Sequence, residues 1–178
     1  MIINERESRN DFIEEIVGQI MAAGRTAPKG KGVDLIEIVA VTGDTIAELA
    51  QATRDASEDN GMMFFLRDAE NIMQANAVIL VGTKLMTMSL NCGYCGYPSC
   101  AAKSAHPSVP CALNMVDVGI AIGSMVSRAA DLRIDNRVMF SVGAAARRIG
   151  LLTDCHSVFA IPLSIASKNP FFDRKSTR

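Results

Sequence analysis

The sequence predicts an α+β fold, a helix-flanked sheet in a single domain (1–178) with an inserted four-cysteine loop (89–112). Three observations carry this. Apolar runs of helical period alternate with short strand-like runs along the chain. The 178 residues are 49% hydrophobic and 21% charged, enough to bury about 70% of the surface the unfolded chain exposes. No metal or disulfide is then needed to supply a core. Yet four of the five cysteines, Cys92, Cys95, Cys100 and Cys111, fall within one short segment.

The elements follow in order. Ser8 to Asp11 reads as a capped helix start, and Phe12, Ile13, Ile16, Val17, Ile20 and Met21 recur at helical spacing up to Gly24. A basic, glycine-rich loop spans Arg25–Gly32. Leu35–Val41 reads as a buried strand, and Thr45–Arg54 as a helix with Thr45 and Glu48 as a capping box. Met62–Leu66 is expected to be a short strand, 68–74 a short helix, and Ala77–Val81 a strand ended by Gly82. Cys111 opens a long helix through Asp131. A further helix covers Val138–Ile149, stopped by Gly150, and Ser157–Pro162 is the last strand. Lys168–Lys175 reads as a polar, extended tail.

Composition narrows the function. A formal net charge of -1 offers nothing to steer the chain to nucleic acid or an anionic membrane. The first nine residues lack the apolar core of a signal peptide. The longest apolar stretch, 115–130, is interrupted by Asp117 and Arg128, so no membrane span is expected. These features place the protein in the cytoplasm with reduced thiols. There, grouped cysteines bind metal more often than they pair.

The cysteines read Cys-x2-Cys-x4-Cys-x10-Cys. Thiolates select iron–sulfur clusters, zinc or copper(I). Gly93 and Gly96 each follow a candidate ligand, and glycine lets the backbone curl and turns amide N–H groups toward sulfur. Pro98 and Pro110 stiffen the loop. Tyr94 and Tyr97, the only tyrosines, are expected to shield a bound group from water. Cys111 at a helix N-terminus is favoured as a thiolate. Zinc sites commonly repeat x2 knuckles, and only one occurs here, so the spacing favours iron–sulfur over zinc while leaving both open.

The residues Cys-Gly-x-Cys-Gly-Tyr-Pro-x-Cys resemble the ferredoxin-type motif of the B subunit of Rnf electron-transport complexes and of the iron–sulfur subunit of the corrinoid protein of acetyl-CoA synthesis. That resemblance implies a [4Fe-4S] cluster held by Cys92, Cys95, Cys100 and Cys111. The last gap, ten residues, is shorter than is usual there. The whole chain resembles a family of prokaryotic ferredoxin-domain-containing proteins, through 27–32, 65–70, the cysteine loop, 117–124 and 135–143. A further likeness is to nitroreductases: Arg6-Glu-Ser-Arg9, a helix, then Ala27-Pro28 before a strand. It implies an α+β homodimer with FMN at the subunit interface, and Arg6, Ser8 and Arg9 as cofactor-binding residues. Lysines and glycines replace the aromatic-rich stretch usual after Ala27-Pro28.

Other residues are weighed against plainer roles. Arg6, Arg9, Lys29 and Lys31 would cradle a phosphate if the first helix and its following loop converge; otherwise they are solvated. Gly119 and Gly123, with Ala121 and Ser124, leave a helix face of little bulk, suited to core packing or a subunit interface. Cys155 reads as a small buried hydrophobe, with His156 facing the other way if both lie in a strand. His106 reads as solvated rather than as a ligand. The ten methionines read as core or interface filler, and no nucleophile has a convincing partner. The expectation is an electron-transfer or redox protein serving a redox partner protein or a small-molecule electron acceptor. The alternatives are a cluster-based sensor or binding module and a structural zinc domain.

Overall fold

A computed structural model describes residues 2–172. The chain begins with α1 (Glu5–Ser8), a 3-10 turn (Arg9–Phe12) and α2 (Ile13–Thr26). After a 3-10 turn at Gly30–Gly32 come β1 (Ile36–Val41), α3 (Asp44–Asn60), α4 (Phe64–Ile72) and β2 (Ala77–Lys84). The cysteine segment follows and contains α5 (Cys100–Ser104). It leads into α6 (Ala112–Asp131), β3 (Asp135–Asn136), α7 (Phe140–Ala146), a 3-10 turn (Arg147–Ile149) and β4 (Cys155–Ser164).

The sheet has the order β1-β2-β4-β3, with every pair antiparallel. β2 lies at its centre and is buried along seven of its eight residues. Alternation sends Ala77, Ile79 and Val81 to one face and Val78 and Leu80 to the other. α2 and α6 cover the first face through Ile13, Val17, Ile20, Val118, Ala121 and Met125. The second face meets Ile46 and Leu49 of α3, Ile72 of α4 and Val142 of α7. Helices therefore cover both faces of an antiparallel sheet.

Two glycines mark close approaches, Gly143 to backbone and Gly24 to a side chain. A methyl on Gly143 would land on the Val158 carbonyl, and one on Gly24 would meet Met125 at 2.8 Å. Pro162 is tolerated in β4 because the amide it lacks faces the interrupted edge. There, Met139 pairs with Ala160 and Asn136 with Leu163, with nothing paired between.

Several sequence expectations are corrected. Met62–Leu66 is not a strand. Phe64 and Phe65 open α4, where Phe65 packs edge-on to Phe140 at 5.7 Å; a short apolar run does not by itself distinguish strand from helix. The helix expected to end at Arg54 runs to Asn60, because Ala56 and Ser57 still face the core, and left-handed Gly61 closes it. Gly82 does not end β2, which continues to Lys84 with a register shift. Ser8 does not cap the first helix: Asn4 Oδ1 accepts from the Arg6 amide, and Ser8 Oγ donates to the Asn4 carbonyl. Gly43, not Thr45, precedes the first turn of α3, with no side-chain cap. Residues 168–172 are not an extended tail, since Phe171 is 1% exposed and belongs to the second core. Residues 173–175 of that stretch lie outside the described residues.

Candidate metal centre

The segment 85–111 runs from the end of β2 to the start of α6. Its backbone takes positive φ at Ser89, Asn91, Gly93 and Gly96. The two glycines meet the expectation that they let the chain curl, and the Gly96 amide donates to the Gly93 carbonyl at 2.9 Å. Asn91 closes the curl. Its side chain accepts from the Cys100 amide at 2.8 Å, while its own amide donates to Cys100 Sγ at 3.3 Å. Ser99 caps α5 by accepting from the Ala102 amide, which fixes Cys100 as the first residue of that helix.

Cys111 is the N-cap residue of α6, as expected, and packs with Leu35, Met88 and Leu113. Burial raises its thiol. The nearby backbone N–H groups of Met88, Asn114 and Leu113 and the charge of Lys103 outweigh that, so the net shift is downward. The neighbouring peptides are held in turn, Met88 by Lys31 Nζ on its carbonyl at 3.2 Å and Met86 by Asn114 Nδ2 at 2.6 Å.

All four cysteines line one tight cavity of about 10 Å³, room for about one water, with Asn91, Tyr97 and Lys103 among the other walls. Exposure is graded: Cys92 is exposed, Cys95 and Cys100 are half-buried, and Cys111 is buried. Among the described residues, no three His, Cys, Asp or Glu side chains converge as ligands of one metal ion. The tyrosines divide. Tyr97 lines the cavity and stacks on His106 at 5.1 Å, whereas Tyr94 is 75% exposed and does not shield it. His106 is exposed and is not among the lining residues. His156 pins the returning chain by bonding the Ser108 carbonyl at 2.6 Å.

The basic candidates do not come together within one chain. Arg6, Ser8 and Arg9 precede α2 and Lys29 and Lys31 follow it. Its 14 residues separate them by about 21 Å at about 1.5 Å per residue. Arg9 is occupied by Glu5 and the Ile165 carbonyl. Lys29 bonds the carbonyls of Gly24, Arg25 and Ala27 at the end of α2. The Gly30 amide is taken by Asp117, which accepts it at 3.0 Å. Cys155 is fully buried, as expected. Burial, then Asp154 and Glu37, push its thiol up to about 11.

Three residues of the site escaped the sequence reading: Asn91, Met88 and Lys103. Lys103 carried a signal, because three residues after Cys100 on a helix it shares that residue's face. Nothing in the local sequence placed Met88 beside Cys111.

The architecture is that of nitroreductase-fold proteins. Nitroreductase CinD from Lactococcus lactis superposes with a TM-score of 0.62 over 87% of this chain and 79% of its own, at 14% identity. A BluB-like flavoprotein from Clostridium difficile matches over 100% and 87%, with a TM-score of 0.58 and 18% identity. A nitroreductase with bound FMN from Desulfitobacterium hafniense covers 86% and 78%, at 0.56 and 16%. A protein of Archaeoglobus fulgidus is 40% identical over 183 residues, 98% of each chain. Residues 108–174 match the family model described as "Uncharacterized protein containing a ferredoxin domain (DUF2148)". The chain belongs to this ferredoxin-domain family. The matched region contains Cys111 but not the other three cysteines of the cavity.

Proposed function

We propose that the protein is a redox protein that carries electrons on a [4Fe-4S] cluster held by Cys92, Cys95, Cys100 and Cys111. The observation that carries this reading is the single cavity lined by all four thiols. In a cluster of this kind each thiolate binds a different iron, and four cysteines lining one pocket supply that donor set.

The cluster would supply one-electron chemistry. The chain supplies the rest. The Asn91 amide that donates to Cys100 Sγ, and the backbone N–H groups near Cys111, favour sulfur as thiolate. The N-terminus of α6 adds its dipole at Cys111. Burial of Cys111 keeps water from the inner wall, and exposed Cys92 leaves an outer edge where a redox partner protein or small-molecule acceptor can approach. Loop 89–112 reads as an insertion on a domain whose two main cores are built from residues outside it. Among the described residues no helix is long and apolar enough to cross a membrane.

Flavin is a second reading, favoured by the fold, since one neighbour holds FMN. The separated groups at the two ends of α2 do not form a phosphate site in one chain, so a cradle would need residues of two copies. The exposed face of α6, with Val116, Gly119, Ile120 and Gly123, is where a homodimer would pack.

Anaerobic reconstitution tests the main reading. The expected product is brown and contains iron and acid-labile sulfide. Bound zinc without sulfide would turn the reading to a structural metal site, and four free thiols after reconstitution would sink both. Flavin release on acid treatment, with a dimer by light scattering, is the outcome the second reading requires.

A further inference from the structure

We propose that Lys103 is the charge-compensating residue of the cysteine cavity, a positioning residue whose ammonium sets how readily a cluster held there accepts an electron. The inference rests on the cluster reading above.

Lys103 is 4% exposed and lines the same cavity as the four thiols. Among the described residues it forms no ion pair. The comparison with other lysines is direct. Lys29 reaches three carbonyls, Lys31 the Met88 carbonyl and Lys84 the Glu37 carboxylate. A charge on so enclosed a side chain is held at least cost where opposite charge lies close by. The cysteines that line the same cavity supply negative charge as thiolates, and the charge of Lys103 acts on Cys111.

The backbone holds the residue in place. The Lys103 amide donates to the Ser99 carbonyl at 3.0 Å, and its carbonyl accepts from His106 at 2.8 Å.

The sign follows from charge. Four thiolates around an oxidised 2+ core carry a net charge of 2−. One electron makes it 3− and involves no proton. A fixed positive charge favours the more negative form, so Lys103 raises the reduction potential.

The test is an anaerobic titration of the full-length, reconstituted protein with dithionite and redox mediators. Lys103→Met is expected to shift the equilibrium toward the oxidised form by at least about tenfold, or about 59 mV for a one-electron couple. Lys103→Arg is expected to stay close to the parent. If Lys103→Met keeps its cluster and the parent potential, the inference is overturned while the cluster reading stands. If the parent takes up no iron and sulfide, both fall. Cluster loss in Lys103→Met with retention in Lys103→Arg supports the charge requirement, read as binding. Loss in both variants overturns it in favour of a packing role.

Discussion

Asp117 and Gly30 are joined by a carboxylate-to-amide contact that ties α6 to the loop after α2: both oxygens of Asp117 accept from the Gly30 N–H, at 3.0 and 3.1 Å. Asp117 is only 6% exposed. In sequence this glycine loop reads as a place for a phosphate. In the structure the protein's own carboxylate occupies one of its amides. Asp117→Ala leaves that amide unpaired and is expected to cost about 1–3 kcal/mol, measured by urea denaturation. An unchanged midpoint would show that the contact contributes nothing.

Cys95→Ala should abolish cluster uptake and leave the fold intact. The two main cores are built from α2, α3, α4, α6, α7 and the sheet, and Cys95 belongs to neither. Far-UV circular dichroism of the variant should match the parent. An unfolded spectrum would show that the cysteine loop is integral to the domain.

Two glycines should respond oppositely to alanine. At Gly143 the new methyl meets the backbone of Val158 and Phe159, and overpacking against backbone is expected to cost about 3 kcal/mol or more. At Gly119 the site is open, and replacing a mid-helix glycine should stabilise by about 0.5–1 kcal/mol. Thermal melts of both variants check this. If Gly119→Ala instead lowers stability in a concentration-dependent way, the α6 face is a contact between copies.

The thiols should separate by pH in metal-free protein. Cys111, its thiol lowered, should react with iodoacetamide at a pH below the ordinary cysteine midpoint, whereas Cys155, raised to about 11, should stay unreactive at neutral pH. The linkage has a definite sign. A raised folded value means that Cys155 contributes stability in full below the unfolded value of 9.0, and that this is lost as pH rises toward about 11. Alkaline unfolding monitored with and without Cys155→Ser should show the wild-type loss confined to that window. Equal reactivity of Cys111 and Cys155 by mass spectrometry would refute the assignment.

Much of the fold was legible because apolar periodicity is a local property. β1, β2, α2, α6 and β4 were each foreseen within a few residues at most ends, and Cys111 was placed at the head of α6. The expected strand at Met62–Leu66 failed for a physical reason. Five apolar residues suit either element, and only the contact of Phe65 with Phe140 from a distant helix settles it as α4. The same holds for Phe171, read as tail and found in the core.

The chemistry on offer is local to the residues: four thiols at close spacing, glycines where the loop needs positive φ, and helices alternating with strands. Ligand type and backbone freedom are properties of residues and their near neighbours. Which groups meet depends on long-range packing. It placed Met88 and Lys103 against Cys111, and set the basic residues at opposite ends of α2. It also paired Asp117 with Gly30 across 87 positions. Contacts of that separation depend on how the helices pack on the sheet, which no local pattern encodes.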